Sequence, residues 1–287
     1  MNGHCDSDRV LAMTFRITID GRSLEAAWWG PPPDASPSIV LLHEGLGCVA
    51  TWRDFPSRLA EATGAGVFAW SRAGYGRSAP APLPRPVSYM HDEAALLSHV
   101  LDAAGVRRCV LLGHSDGASV AAIHAGTTQD FRVRGLILIA PHFVVENVTV
   151  ASIAAARAAY QRTDLRARLG RYHADPDNAF RGWCDAWLDP AFRGWRIDDV
   201  LPYIRIPMLI LQGSADEYGT AEQLRIAERE AMCPVRTMLI EHATHSPHLS
   251  APDAVLAAAA AFTHRLFTVH ERPLPQAGEE AVRKRAP

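Results

Sequence analysis

The chain has 287 residues, 48% of them hydrophobic and 21% charged, which is enough to bury a full core as one large domain or one domain with an insertion. The formal net charge of −2 provides no basic field for a polyphosphate, and no segment resembles a nucleic-acid-reading motif. Composition therefore argues against a nucleic-acid partner and favours a small neutral molecule as the substrate.

The first ten residues do not resemble a signal peptide. They contain Asp6, Asp8 and Arg9 instead of a basic stretch followed by an apolar one. No apolar run in the chain reaches the roughly 18 residues without polar interruption that a membrane span requires. We therefore expect a cytoplasmic protein with no membrane partner.

Eight short apolar runs predict the strands of a sheet. The first two flank Asp20-Gly21, which tolerates the positive φ of a tight turn, and they suit an antiparallel hairpin. The later runs are nearly continuous in Val, Ile and Leu, as is typical of parallel strands covered by helices on both faces. The predicted strands are Thr14–Ile19, Leu24–Trp29, Ser38–His43, Val67–Ser71, Cys109–Gly113, Leu136–Ala140, Met208–Gln212 and Thr237–Glu241.

Helical patterns alternate with the later strands. They fall at residues 53–63, 88–105, 117–127, 220–231 and 252–267. This alternation predicts an α/β fold with a mostly parallel eight-stranded sheet flanked by helices.

One segment interrupts the alternation and predicts an insertion. Residues 141–207 contain no strong strand candidate and are rich in arginine, alanine and aromatic residues. We expect a helical lid at 142–206, between core segments 1–141 and 207–270. The mixture of proline, glycine and charge at 271–287 predicts a disordered tail.

The aromatic residues of the predicted lid have two possible roles. They either pack the lid itself or roof a substrate pocket, since aromatic side chains dominate the lining of such sites. Trp183 and Trp187 lie four residues apart, which on a helix places them on one face. These two tryptophans are our candidate substrate-binding residues in the lid.

The strongest motif is Gly113-His114-Ser115-Asp116-Gly117. It directly follows one predicted strand and directly precedes one predicted helix. A G-x-S-x-G pattern in that context places the serine on a strained turn, where the two glycines let the backbone pack closely. We therefore predict that Ser115 is a nucleophile exposed at the carboxyl end of the sheet.

A serine hydroxyl needs a base within hydrogen-bond reach, and the base needs an orienting carboxylate. Asp216 follows the seventh predicted strand, and His242, His245 and His248 follow the eighth. The order Ser, Asp, His along the chain is typical of one hydrolase fold. Asp216 and one of these histidines therefore complete a predicted triad.

From about residue 14 to 270, the sequence resembles the α/β-hydrolase superfamily. Besides the serine motif, the segment Arg72–Ser78 after the fourth strand resembles a turn of that family, although Ser71 stands where Asp is commoner. The family's catalytic histidine is usually followed by a small residue and a proline. The resemblance therefore favours His245, which precedes Ser246 and Pro247, over His242 and His248.

The same resemblance implies an oxyanion hole of backbone N–H groups. One donor would be Asp116, and the other would come from the loop after the third strand. That loop usually reads His-Gly-X, but Glu44 stands in the glycine position here, so the second donor is Gly45 or Leu46. Glu44 is either a loop carboxylate or a polar group that contacts substrate or water.

The residue types narrow the reaction. Dehalogenases and epoxide hydrolases of this family carry Asp at the position of Ser115, so we expect hydrolysis of a small to medium-sized ester or thioester. Carbon–carbon bond hydrolysis of ring-fission products, perhydrolase or lyase chemistry, and a non-catalytic ligand receptor remain alternatives. No nucleotide or metal cofactor is implied, although His242, His245 and His248 could ligate a metal if they shared a helix face. The oligomeric state is not indicated.

Overall fold

The computed structural model describes residues 12–268. The chain enters through an antiparallel hairpin of β1, Met13–Ile19, and β2, Arg22–Trp29. Asp20 and Gly21 join the strands with φ values of +49° and +74°, the left-handed conformation that a two-residue hairpin turn requires.

The sheet has eight strands in the order β1-β2-β4-β3-β5-β6-β7-β8. The β1–β2 and β2–β4 pairs are antiparallel, and all pairs from β4 onward are parallel. The predicted mostly parallel eight-stranded sheet is confirmed. The remaining strands are β3, Ser38–Leu42; β4, Gly66–Trp70; β5, Cys109–His114; β6, Val133–Ile139; β7, Met208–Gly213; and β8, Val235–Ile240.

Helices cover both faces of the sheet. Each predicted helix and strand overlaps an observed one, and the predicted and observed ends differ by at most three residues. Side chains of a strand alternate between the two faces. In β3, Val40 and Leu42 join one apolar core, whereas Ile39 and Leu41 join the other. The core helices are α1, Phe55–Thr63; α2, Tyr89–Ala103; α3, Asp116–Thr127; α7, Glu222–Glu230; α8, Pro247–Ser250; and α9, Pro252–Thr268.

Between β6 and β7 the chain is helical. The helix α6, Pro176–Trp187, begins with a proline, whose missing N–H loses no hydrogen bond because the first N–H groups of a helix have no partner within it. The Asp175 side chain caps this end and accepts a hydrogen bond from the Asn178 N–H at 2.9 Å. The helices of this segment are α4, Asn147–Arg162; α5, Leu165–Leu169; α6, Pro176–Trp187; and the 3-10 helices Pro190–Gly194 and Asp198–Tyr203.

The described helices do not include one with the length and apolar character needed to cross a membrane. The predicted tail at 271–287, the last two residues of the predicted core segment 207–270 and the first eleven residues of the predicted core segment 1–141 lie outside the described residues.

Candidate active site

Ser115 lies on a strained turn between β5 and α3. Its φ of +52° and ψ of −120° are rare for a residue with a side chain. Two glycines make the turn possible: a Cβ on Gly113 would lie 2.3 Å from the carbonyl oxygen of Gly117, and one on Gly117 would lie 2.1 Å from that of Leu42. The close packing fixes the Ser115 side chain at the carboxyl end of the sheet.

The three residues of the predicted triad meet at that end. His245 Nε2 lies 2.9 Å from Ser115 Oγ, and His245 Nδ1 lies 2.9 Å from both carboxylate oxygens of Asp216. Because the carboxylate can only accept, Nδ1 carries a proton and Nε2 is free to accept the proton of the serine hydroxyl.

The loop after β7 holds Asp216 as an anion. Its Oδ1 accepts hydrogen bonds from the backbone N–H groups of Tyr218 at 2.7 Å and Gly219 at 3.0 Å, and the Gln212 side chain donates to Oδ2. Burial raises the pKa of Asp216, but the hydrogen bond and charge of His245 and the two backbone donors outweigh it and hold the pKa below its usual range.

The candidate oxyanion donors border the same cavity as Ser115. Asp116 is the first residue of α3, where a backbone N–H has no acceptor within the helix. Gly45 and Leu46 are the central residues of a turn closed by the Gly47 N–H and the Glu44 carbonyl at 3.1 Å. All three candidate donors therefore line the cavity that Ser115 borders.

Two aromatic residues hold the side chain of Asp116. Its carboxylate accepts hydrogen bonds from the Tyr89 hydroxyl at 2.5 Å and from the Trp187 indole N–H at 3.2 Å. Burial raises the pKa of Asp116, and the charge of Arg72 opposes that rise. This hydrogen bond of Trp187 thus links α6 to Asp116, the residue that follows Ser115.

The cavity in front of Ser115 has a volume of about 170 Å³. Trp183 and Trp187 both line it, and Trp183 lies so close to the backbone that a Cβ on Gly45 would be 2.2 Å from its Cδ1. Helix α4 contributes two further lining residues. The lining residues are Glu44, Gly45, Leu46, His114, Ser115, Asp116, His142, Thr149, Ile153, Trp183, Trp187, Glu217, Tyr218, His245 and Ser246.

Glu44 lines the cavity and is 28% exposed. One carboxylate oxygen lies 3.5 Å from Nδ1 of His114, whose Nε2 donates to the His245 carbonyl at 2.8 Å. Burial would raise the pKa of Glu44, but its interaction with His114 holds it well below the usual range. Glu44 is therefore an anion beside His114, the residue that precedes Ser115.

His142 is a cavity residue that sequence reasoning missed. It lies three residues after the end of β6 and is 2% exposed, with its ring centroid 5.7 Å from that of His245. Burial, followed by the charge of His245, lowers the pKa of His142 to about 3, so the ring is neutral. Its position just past a core strand was the available signal.

His242 and His248 do not join His245 in a metal site. His248 is buried against the rings of Trp52 at 5.0 Å and His114 at 4.7 Å. The segment is a loop that becomes helical only at Pro247. Across residues 12–268, no cluster of three or more His, Cys, Asp or Glu side chains is arranged to hold a metal ion.

Comparison with known proteins extends this picture. A family described as "Alpha/beta hydrolase family" matches residues 39–259. No curated protein sequence matches the chain.

Solved structures of several enzymes resemble the chain. The 2-hydroxy-6-oxo-6-phenylhexa-2,4-dienoate hydrolase of Rhodococcus sp. strain RHA1 has a TM-score of 0.75 and 17% identity, covering 89% of this chain and 99% of that one. Naproxen esterase of Bacillus subtilis has a TM-score of 0.67 and 18% identity, with 90% and 92% covered. Proline iminopeptidase of Mycobacterium smegmatis has a TM-score of 0.68 and 18% identity, with 90% and 100% covered. Identities of this size establish the shared fold only.

Proposed function

Since the chain belongs to the alpha/beta hydrolase family, we propose that it is a serine hydrolase that cleaves a small, uncharged ester or thioester through an acyl-enzyme on Ser115. The observation that carries this proposal is the continuous set of hydrogen bonds from Ser115 through His245 to Asp216. A hydroxyl with a base and an orienting carboxylate at these distances is equipped for acyl transfer.

In the proposed mechanism, Ser115 Oγ attacks the substrate carbonyl carbon while His245 Nε2 takes the hydroxyl proton. The anion of Asp216 stabilises the imidazolium that forms, and backbone N–H groups of Asp116 and Gly45 stabilise the oxyanion. His245 then gives its proton to the departing alcohol or thiol. A water molecule repeats the sequence on the acyl-enzyme and releases the acid.

The cavity supports a small acyl group. Its volume of about 170 Å³ is close to the roughly 150 Å³ of an apolar cavity that holds benzene and below the roughly 300–1,000 Å³ of drug-sized sites. Trp183 sets this limit, because its ring lies against Gly45. We accordingly propose that residues 142–206 act as a lid that closes over a short substrate.

The charges around the cavity favour a neutral substrate. Glu44, Asp116 and Glu217 line it, and among the described lining residues none is arginine or lysine. A carboxylate substrate would enter this environment against like charges. The alternative of carbon–carbon bond hydrolysis is thereby disfavoured for an anionic ring-fission product such as the dienoate in the name of the Rhodococcus enzyme.

The test is a panel of aryl esters that differ in the size and charge of the acyl group. We expect a burst of one phenol per chain with the acetyl ester, slower turnover with bulky acyl groups and the least with anionic ones. Ser115→Ala should keep the fold and lose the burst. Binding of esters by the wild-type protein without turnover would instead support the ligand-receptor alternative.

A further inference from the structure

Arg72 is a buried cation beside the candidate oxyanion loop that the proposed mechanism does not use. It lies two residues after β4 and is 1% exposed. Burying a guanidinium is costly unless specific partners hold it. Its Nη2 donates to the main-chain carbonyl oxygen of Glu44 at 3.0 Å, and the described residues offer no acceptor to Nε or Nη1.

A second buried side chain binds the same carbonyl oxygen. The backbone N–H of Arg72 donates to Nε2 of His43 at 3.1 Å, so Nδ1 carries the ring proton and donates to the Glu44 oxygen at 2.8 Å. Burial and the charge of Arg72 lower the pKa of His43 well below its usual range, which keeps this ring neutral. The Glu44 oxygen therefore accepts from two side chains, one of them charged, in addition to the Gly47 N–H that closes the turn at 3.1 Å.

This arrangement fixes the direction of the neighbouring N–H group. In a planar trans peptide the N–H points opposite to the C=O. The oxygen of the Glu44–Gly45 peptide points toward Arg72, His43 and the Gly47 N–H, and none of these three residues lines the cavity, whereas Gly45 does. The Gly45 N–H consequently points to the cavity side, and donors on the carbonyl strengthen that N–H as a donor.

We propose that Arg72, together with His43, orients and polarises the Glu44–Gly45 peptide, so that Gly45 rather than Leu46 provides the second oxyanion donor. Arg72 is a positioning residue, since it acts through the peptide and not on the substrate. The inference rests on the proposed serine hydrolase function, because an oxyanion forms only if Ser115 attacks a carbonyl.

The test compares two ketones that differ only in the fluorination of one methyl group, in wild type and in Arg72→Met. A trifluoromethyl ketone forms a covalent hemiketal: the Ser115 oxygen bonds to the carbonyl carbon, the hydroxyl proton moves to His245 and the ketone oxygen becomes an anion. The unfluorinated ketone stays neutral. We expect Arg72→Met to lower the affinity for the trifluoromethyl ketone about ten-fold and to leave the affinity for the unfluorinated ketone unchanged. This loss is smaller than the ~10²–10³-fold loss expected when an oxyanion donor itself is removed.

Catalysis should change in parallel. The kcat per titrated active site should fall about ten-fold with KM nearly constant, which is the signature of an interaction made in the transition state. The matched control is Arg85→Met, because Arg85 is also a buried arginine, 5% exposed, stacked on the Tyr75 ring at 4.9 Å. It donates to the Ala73 carbonyl and not to the oxyanion loop. We expect neither measurement to change in Arg85→Met.

Three results would overturn the proposal. The first is equal ketone selectivity in Arg72→Met and wild type. The second is the same loss in both arginine variants. The third is recovery of the wild-type rate when Asp116→Asn is added to Arg72→Met, because Arg72 would then act only by balancing the Asp116 charge. If Arg72→Met does not fold, Arg72→Leu also removes the charge and every side-chain donor, and an unchanged rate in it is equally contradictory. A wild-type protein that binds both ketones alike would instead contradict the proposed function.

Discussion

Gly45 offers a sharp test of the contact between the proposed lid and the candidate oxyanion loop. Its φ lies outside the left-handed region, so alanine is compatible with the backbone there. The added Cβ, however, would lie 2.2 Å from Cδ1 and 2.3 Å from Nε1 of Trp183. Gly45→Ala must therefore displace either the indole ring or the loop that carries the proposed oxyanion donors.

The size of the displacement follows from the distances. Ordinary contacts of a Cβ begin at 3.4 Å, so the two groups must separate by about 1.2 Å, the difference between 3.4 and 2.2 Å. A misplacement of about 1 Å at a reacting centre can cost roughly 10²-fold in rate. We expect Gly45→Ala to lower kcat by about that factor.

The assay is kcat per titrated active site on a small aryl ester, with the thermal midpoint measured in parallel. Gly47→Ala is the matched control in the same loop, because the three atoms nearest to its Cβ would all belong to the carboxylate end of Glu44 and none to Trp183. Trp183→Leu should restore most of the activity of Gly45→Ala by removing the indole. Full activity in Gly45→Ala, or a loss that Trp183→Leu does not relieve, would refute this reasoning.

Three further predictions follow from the site. Asp216→Asn should keep the fold but lower kcat by up to about 10⁴-fold, since the amide favours the wrong imidazole tautomer; kcat close to wild type would exclude Asp216 as the orienting group. Trp187→Phe removes a hydrogen bond to the buried Asp116 carboxylate and should lower the free energy of unfolding in urea by about 1–3 kcal/mol; an unchanged midpoint would contradict it. Acid should destabilise the protein, because burial lowers the folded-state pKa of His142 to about 3 and those of His43 and His248 well below the usual range. The unfolded chain binds these protons near pH 6.5, so the stability present above that pH should fall by about 4 kcal/mol at pH 5.5; equal unfolding free energies at pH 7.5 and 5.5 would contradict this.

The sheet was predictable because its signal is local. Continuous apolar runs such as Cys109–Gly113 can be covered only by helices on both faces, and Asp20-Gly21 allows a turn that few other dipeptides form. The position of Ser115 was equally predictable from the sequence, since a strand, a glycine-flanked turn and a helix follow one another within a few residues. The same rule placed Asp216 and a group of three histidines at the ends of later strands, and only the resemblance to the α/β-hydrolase superfamily favoured His245 among the three.

Contacts between distant segments left no such signal. Tyr89 reaches Asp116 from a helix 27 positions earlier in the chain, and Arg72 reaches the Glu44 carbonyl across 28 positions. Neither side chain belongs to a periodic pattern that specifies its partner. The choice between Gly45 and Leu46 likewise depends on the direction of one peptide plane, which the sequence does not encode locally.

The nucleophilic role of Ser115 can be measured directly with a small organophosphonate that forms a stable adduct with an activated serine. Intact-mass and peptide analysis should show one adduct per chain, located on Ser115, with ester hydrolysis lost in proportion to labelling. Ser115→Ala should remain unlabelled. Adduct formation on another residue, or hydrolysis that persists when Ser115 is fully labelled, would contradict the serine hydrolase mechanism.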